Sequence, residues 1–460
     1  MADSVRADIP VASGKKWIVR ALQLAFLVTA IVIAAMPAKP NRTYPQRQPV
    51  RFWHMWSGEW KDKVDLIVKE FNESQDQYEV IALSVPGTSA DYKFMLSVAG
   101  GDPPDCMAQW NAVIPFWADH ELLVPLDTLM TEQEKADFQR DAYPVAKKIG
   151  MYKDHLYGVT IGINIWACYY RPDQMKEAGL DPDHFPQKLE ELVDWGGKLN
   201  QFDKENRLTR LGFYPEWLRM YGPIFGGSFW DAQEKKLTLK TPENLRALTF
   251  LADCTKKIGY DKIKRFRSSL NTGGYSLNWP FISGQYSIAV DGQWRVEQIA
   301  QYAKDLEYRT APIPAPANGK AFAGYSNGNF MIVPKGAKNV PGAWAFIKFW
   351  SGLNDPERAA KFYTMGGWLP LTTKVANAKY YQDYLHKYPQ FKTFLDILPS
   401  ENIQTLPPVP YQTYFSDMMN LSAERALRGE PTPELTPEQA LDEFQIKIDA
   451  EMAKRKRVGL

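Results

Sequence analysis

The side chains best suited to handle a small polar molecule are aromatic plates with acids or amides beside them. The 460 residues include 15 Trp, 23 Tyr and 23 Phe, an aromatic share above the usual level. Several of the Trp stand next to polar groups: Trp56 two residues after His54, Trp110 between Gln109 and Asn111, Trp217 after Glu216, and Trp230 behind Gly226-Gly227. An indole face covers the C–H face of a sugar ring, while amides and carboxylates bond its hydroxyl edge. His54 and Trp56 sit at the carboxyl end of the first expected strand, and Gln109 and Trp110 at the end of a later one. Open α/β sheets place ligands at such strand ends.

Catalysis is weakly represented. Gly324-Tyr-Ser326-Asn-Gly328 fits G-x-S-x-G, which needs a strand before it and a helix after it. Here Asn329–Val333 reads as a strand instead, and only His386 lies downstream to act as base. A glycosidase needs two carboxylates across an aromatic cleft. Asp291, Glu216 and Glu59 are available, but nothing fixes their spacing, so the chain is not expected to be an enzyme. Cys106, Cys168 and Cys254 are isolated and read as buried apolar residues. The five His (54, 120, 155, 184, 386) form no H-x-x-x-H pair, so no metal site and no cofactor are expected. Fifty-five basic against fifty-three acidic side chains argue against a nucleic-acid binder. A hydrophobic share of 45% excludes a disordered protein.

These residues need a scaffold, and the chain supplies an α/β one. Lys15, Lys16 and Arg20 precede an apolar run from Ala21 to Met36, so residues 1–44 read as an export signal or an uncleaved membrane anchor. Either way the bulk of the chain lies outside the cytoplasm. Val50–Trp56 and Tyr78–Ser84 read as strands around a helix with Val64, Ile67, Val68 and Phe71 on one face. A helix at Tyr92–Ala99 leads to a strand at Cys106–Gln109, and further strands are expected at Tyr286–Val290 and Asn329–Val333. Thr131 with Glu134 forms a capping box, and Thr241-Pro242, Asp355-Pro356 and Thr436-Pro437 open helices. This pattern predicts α/β architecture with mostly buried strands.

In order along the chain, several short motifs resemble the extracellular solute-binding proteins of ABC importers, in the sugar-receptor branch that includes maltose-binding protein. They are Phe52-Trp-His-Met-Trp-Ser-Gly58 with Phe71-Asn72, Ala99-Gly-Gly-Asp-Pro-Pro-Asp105, Leu122–Asp127, Leu156-Tyr-Gly-Val159 and Tyr169-Tyr-Arg171. Lys176-Glu-Ala-Gly-Leu180, Ile288-Ala-Val-Asp-Gly-Gln-Trp294, Val340–Trp350 and Gly366-Gly-Trp-Leu-Pro370 continue the series. Thr160 stands where the family usually has Pro, and Phe185-Pro186 departs from its pattern.

The resemblance implies a two-lobe, periplasmic-binding-protein-like fold with a ligand cleft between lobes joined by hinge crossings. Lobe one would comprise 48–158 plus 328–366, and lobe two 160–325 plus 368–460. Crossings near Tyr157–Gly162, Gly324–Gly328 and Gly366–Pro370 would form the hinge. It implies that Trp294 stacks on a sugar ring, that Asn164 reaches the sugar, and that Tyr325, Asn327 and Trp368 lie at hinges beside the cleft. With His54, Trp56, Gln109, Trp110, Glu216, Trp217 and Trp230, these residues make the expected site. The partners implied are a small-molecule sugar and a membrane permease, for a receptor that acts as a monomer at the periplasmic or extracellular face of the cytoplasmic membrane. The alternatives are a secreted carbohydrate-active hydrolase and a receptor for a non-sugar solute.

Overall fold

The computed structural model describes residues 21–22, 24–26, 42–85, 87, 89–270, 278–429 and 433–457. The expected signal or anchor lies almost wholly outside these. Contacts divide the chain into Met1–Gln46 and Arg47–Leu460, and the elements below belong to the second unit. Among the described residues no helix is long and apolar enough to cross a membrane.

Strand β1 (Gln48–His54) is followed by helix α1 (Glu59–Ser74), which buries Val64, Ile67, Val68 and Phe71 as their spacing requires. The chain returns as β2 (Tyr78–Ser84), parallel to β1. After α2 (Ser89–Ala99) comes β3 (Cys106–Trp110), parallel to β1 on its other side. Next is β4 (Val159–Tyr170), twelve residues buried everywhere except half-buried Trp166. Then follow α3 (Leu218–Ile224), α4 (Pro242–Ile258), β5 (Ile288–Gly292), α5 (Trp294–Tyr302), β6 (Arg309–Ala311) and β7 (Gly324–Ile332). The chain ends with α6 (Val340–Ser351), α7 (Pro356–Gly366), β8 (Ile403–Gln404), α8 (Gln412–Leu427) and α9 (Pro437–Arg457). Reciprocal bonds close capping boxes at Thr131 with Glu134 and at Thr436 with Gln439.

The main sheet runs β5-β4-β7-β3-β1-β2, with β6 added to β4 and β8 to β7. The first half of β4 pairs with antiparallel β7, and its second half pairs with β5 and β6. A strand covered on both faces reads as a near-continuous apolar run, which explains the sequence VTIGINIWACYY. Two large cores use opposite faces of its far end. Ala167 and Tyr169 join the first core, whereas Cys168 and Tyr170 join the second, as period-2 geometry dictates. Leu371, Tyr381, Phe391 and Phe394 pack in the first core, and the chain from Leu406 to Ile448 contributes to the second. The three Cys are buried and free.

β7 is longer than the Asn329–Val333 read from sequence, because Gly324 and Tyr325 are held extended by pairing with β8, and Ser326, Asn327 and Gly328 by pairing with β4, not by their own propensity. The strand read as Val50–Trp56 ends at His54, and the one read as Tyr286–Val290 lies two residues further on.

Asp105, the last residue of the Gly-Gly-Asp-Pro-Pro-Asp turn, ties three segments together. Its buried carboxylate accepts the backbone N–H of Arg51 at 2.7 Å and those of Lys338 and Asn339 at 2.8 Å each. Asn339 in turn caps α6 by accepting from Gly342 N. Each orphaned buried N–H costs about 1–3 kcal/mol. Asp105→Ala is therefore expected to destabilise the fold by at least about 3 kcal/mol, read as a lower urea midpoint. An unchanged midpoint would mean that these donors find other acceptors.

Candidate functional site

The site is built where β4 and β7 cross. Asn164 lies directly opposite Asn327, and the pairing shifts register between Asn329 and Phe330. Asn164 Nδ2 donates to Asn327 Oδ1 at 2.7 Å. Gln293 Nε2 donates to Asn164 Oδ1 and to the Ile163 carbonyl, both at 3.1 Å, and its Oε1 accepts from Ile165 N at 3.1 Å. A third segment joins here: Ile163 N donates to Leu369 O at 3.2 Å. Gly162 makes this approach feasible, since a Cβ there would come within 3.2 Å of the Trp368 ring. The segments expected to cross near residues 157–162, 324–328 and 366–370 thus meet.

On the face that carries Asn164, period 2 also places Trp166, and on the facing strand Tyr325 beside Asn327. Trp166 meets Trp294 edge-on, with centroids 5.7 Å apart at 89°, and Tyr325 at 5.6 Å. The Arg219 guanidinium lies over the Trp217 ring at 4.8 Å and the Tyr325 ring at 5.4 Å. Trp217 holds a left-handed φ of 61° and is 38% exposed. For a bulky residue that conformation is strained, and such strain concentrates at functional positions.

Trp217 borders a cavity of about 210 Å³ whose wall also includes Glu216, Arg267, Tyr286, Asp291 and Arg295. Arg267 pairs with Glu216 at 3.1 Å, and Arg295 with Asp291 at 2.8 Å. Burial pushes both carboxyls above the usual range, and the facing guanidinium opposes that rise in each case. The wall thus offers aromatic faces beside charged hydrogen-bonding groups.

Six of the twelve expected residues come together here: Asn164, Glu216, Trp217, Trp294, Tyr325 and Asn327. Trp110 stands 46% exposed at the end of β3. Gln109 is buried and donates to Asp91 Oδ1 at 2.9 Å. Trp230 borders a different cavity of about 630 Å³, shared with Asn111, Tyr152, Gln404 and Gln412. His54, Trp56 and Trp368 are buried in an aromatic cluster. Trp56 stacks on Trp350 at 5.7 Å and meets Trp368 at 5.9 Å, and His54 lies between Phe52 and Trp56. Burial lowers His54 to about 4, and neither ring nitrogen has a partner among the described residues. β1 thus turns Phe52 and His54 inward and leaves Trp53 half-buried, so His54 and Trp56 serve the core and not the cleft. Sequence reasoning missed Trp166, Arg219 and Arg267. Trp166 had a signal, since it follows Asn164 by two in one strand.

A profile of the bacterial extracellular solute-binding proteins matches residues 67–393. The chain belongs to that family. Among curated relatives, the sn-glycerol-3-phosphate-binding periplasmic protein UgpB of Salmonella typhimurium is 24% identical over 457 residues, covering 92% of this chain and 93% of the relative. UgpB of Escherichia coli K12 is 23% identical, covering 85% and 90%. The solved structure of CpMnBP1 with mannotriose bound superposes with a TM-score of 0.73 at 25% identity, covering 87% of this chain and 100% of that one. The sugar-binding protein MalE of Xanthomonas citri gives 0.72 at 20% identity, covering 89% and 99%, and shares the two-lobe fold.

The family and these relatives are binding proteins. Ser326 accords with that: it sits buried inside β7, donates to the Asn164 carbonyl at 2.9 Å, and the strand continues to Ile332 with no helix directly after the motif.

Asn164→Ala strands a buried acceptor on Asn327 and a donor on Gln293, for an expected loss of about 1–3 kcal/mol. In a double-mutant cycle with Asn327→Ala, the double variant should lose less than the sum of the singles by at least about 0.5 kcal/mol. Strict additivity in urea denaturation would show that the two amides do not act as a pair.

Proposed function

We propose that this protein is the substrate-binding component of an ABC importer. It captures a sugar or oligosaccharide outside the cytoplasmic membrane, at the face formed by Asn164, Trp217, Trp294, Tyr325 and Asn327, and delivers it to a membrane permease. The observation that carries this reading is the aromatic wall of Trp217, Tyr325, Trp166 and Trp294 beside the amide pair Asn164–Asn327. The mannotriose-bound relative, matched over its whole length, supports a carbohydrate ligand. The protein works as an exported monomer, with residues 1–44 as its signal or anchor, and releases its ligand chemically unchanged.

The lobes are 48–158 with 328–366 and 160–325 with 368–460, and they rotate about the three crossings. A ligand that touches both lobes stabilises the closed arrangement by the contacts it gains there. Trp110, at the free end of β3, supplies the surface opposite the wall.

Calorimetry of the purified protein against a carbohydrate panel should find a ligand at micromolar affinity, about −8 kcal/mol. The UgpB relatives put glycerol 3-phosphate in the same panel. Binding of peptides alone, or of inorganic phosphate alone, would contradict the reading. Trp294→Ala should weaken sugar binding by about 1–3 kcal/mol; unchanged affinity with a large loss of unliganded stability would make Trp294 a packing residue only.

Small-angle scattering should show a smaller radius of gyration at saturating ligand. Identical profiles with and without a tight ligand would exclude rotation.

A further inference from the structure

The charges around the smaller cavity do not cancel. Arg267 and Arg295 line it together with Glu216 and Asp291, and Arg219 stands just outside that lining, over the Trp217 ring that borders it. Arg267 and Arg295 each hold one carboxylate, at 3.1 and 2.8 Å. Arg219 takes part in no ion pair among the described residues. Its one hydrogen bond there is to a neutral amide, from Nη1 to Asn420 Oδ1 at 3.0 Å.

Two aromatic rings lie against Arg219, Trp217 at 4.8 Å and Tyr325 at 5.4 Å. Burial disfavours its charged form, with Tyr325 and Glu216 pulling the other way, yet a guanidinium stays charged at neutral pH. Rings over its face satisfy the π-system but accept little at the N–H edge. Of its five donors, one is used. The left-handed Trp217 backbone that sets this ring over the guanidinium is itself strained. A half-buried cation with no ion-pair partner of its own, and a carboxylate near it that already pairs with Arg267, is expensive to keep, unless a ligand completes it.

We propose that Arg219 receives an acidic group of the ligand, so that the sugar taken by this protein carries one carboxylate or one phosphate ester. The inference rests on the sugar-binding reading above and narrows its substrate class. The planar fork of Arg219 matches the two oxygens of either group. The paired Glu216–Arg267 and Asp291–Arg295 bond the neutral hydroxyls, and the single excess positive charge is balanced by the single acid.

The test is calorimetry on the full chain with matched pairs: glucose and glucuronate, galactose and galacturonate, glycerol and glycerol 3-phosphate. In at least one pair the acidic member should bind about tenfold or more tighter, the range of one charge-assisted hydrogen bond. The pair that shows the preference tells a carboxylate from a phosphate ester. Arg219→Gln should remove the preference, read as the ratio of the two affinities within a pair, and Arg219→Lys should restore part of it. Should Arg219→Gln fail to fold, salt decides on the wild-type protein: affinity for the acidic member should fall between low and physiological ionic strength, and that for the neutral member should not.

Equal affinities within every pair, or a preference that survives Arg219→Gln, would overturn the inference and leave the sugar reading standing. No binding of any carbohydrate, neutral or acidic, would overturn both.

Discussion

β4 and β7 exchange backbone hydrogen bonds from Val159 opposite Met331 to Ile165 opposite Ser326, and β4 then continues five residues further against β5. One strand therefore belongs to two pairings and borders two cores. The two pairings meet in the short stretch where β4 leaves β7 for β5, near Ile165 and Trp166. That stretch is buried, so each of its polar groups needs a partner. The Asn164–Asn327–Gln293 network and the Ser326 hydroxyl supply them. The bonds that make the crossing stable also fix that Asn164, Trp166, Tyr325 and Asn327 share one face, because register in a strand sets facing.

Much of the scaffold was legible in the sequence because local rules and tertiary needs agreed there. α1 shows its buried stripe in the spacing of Val64, Ile67, Val68 and Phe71, and the capping boxes at Thr131 and Thr436 mark helix starts that the structure keeps. The Gly-Gly-Asp-Pro-Pro-Asp turn ends on a carboxylate with three backbone donors to hold. The start of β7 was not legible. Gly324, Ser326, Asn327 and Gly328 are poor strand formers, and only their partners on β8 and β4 make them a strand.

The site was half legible, for a specific reason. A Trp beside a polar residue reads the same whether the indole meets a ligand or another indole. Trp56, Trp60, Trp350 and Trp368 satisfy one another in the first core, and the burial that this packing brings leaves His54 neutral. Trp166, Trp217 and Trp294 have the same side chain, but their neighbours include Arg219 and the crossing amides. What separates the two groups is tertiary: Arg219 is close to Trp217 in the chain, but Tyr325 beneath the same guanidinium and the nearby Arg267 and Arg295 come from distant segments that no local spacing encodes.

Those arginines also decide what the cavity tolerates. Glu216 and Asp291 are buried enough that desolvation raises their pKa, so each relies on its own guanidinium to stay ionised. Removing Arg267 or Arg295 would leave a carboxyl more readily protonated, with its pKa moved further up. Such a protonated group would donate one hydrogen bond where the carboxylate only accepts. The pairing therefore fixes the polarity of the wall as well as its charge: carboxylates that accept from hydroxyls, guanidinium edges that donate, and indole faces that take the C–H surface. Two closed ion pairs set in aromatic rings suit a polyol, whose hydroxyls both donate and accept, better than a ligand of purely accepting oxygens, which would meet the two carboxylates head-on.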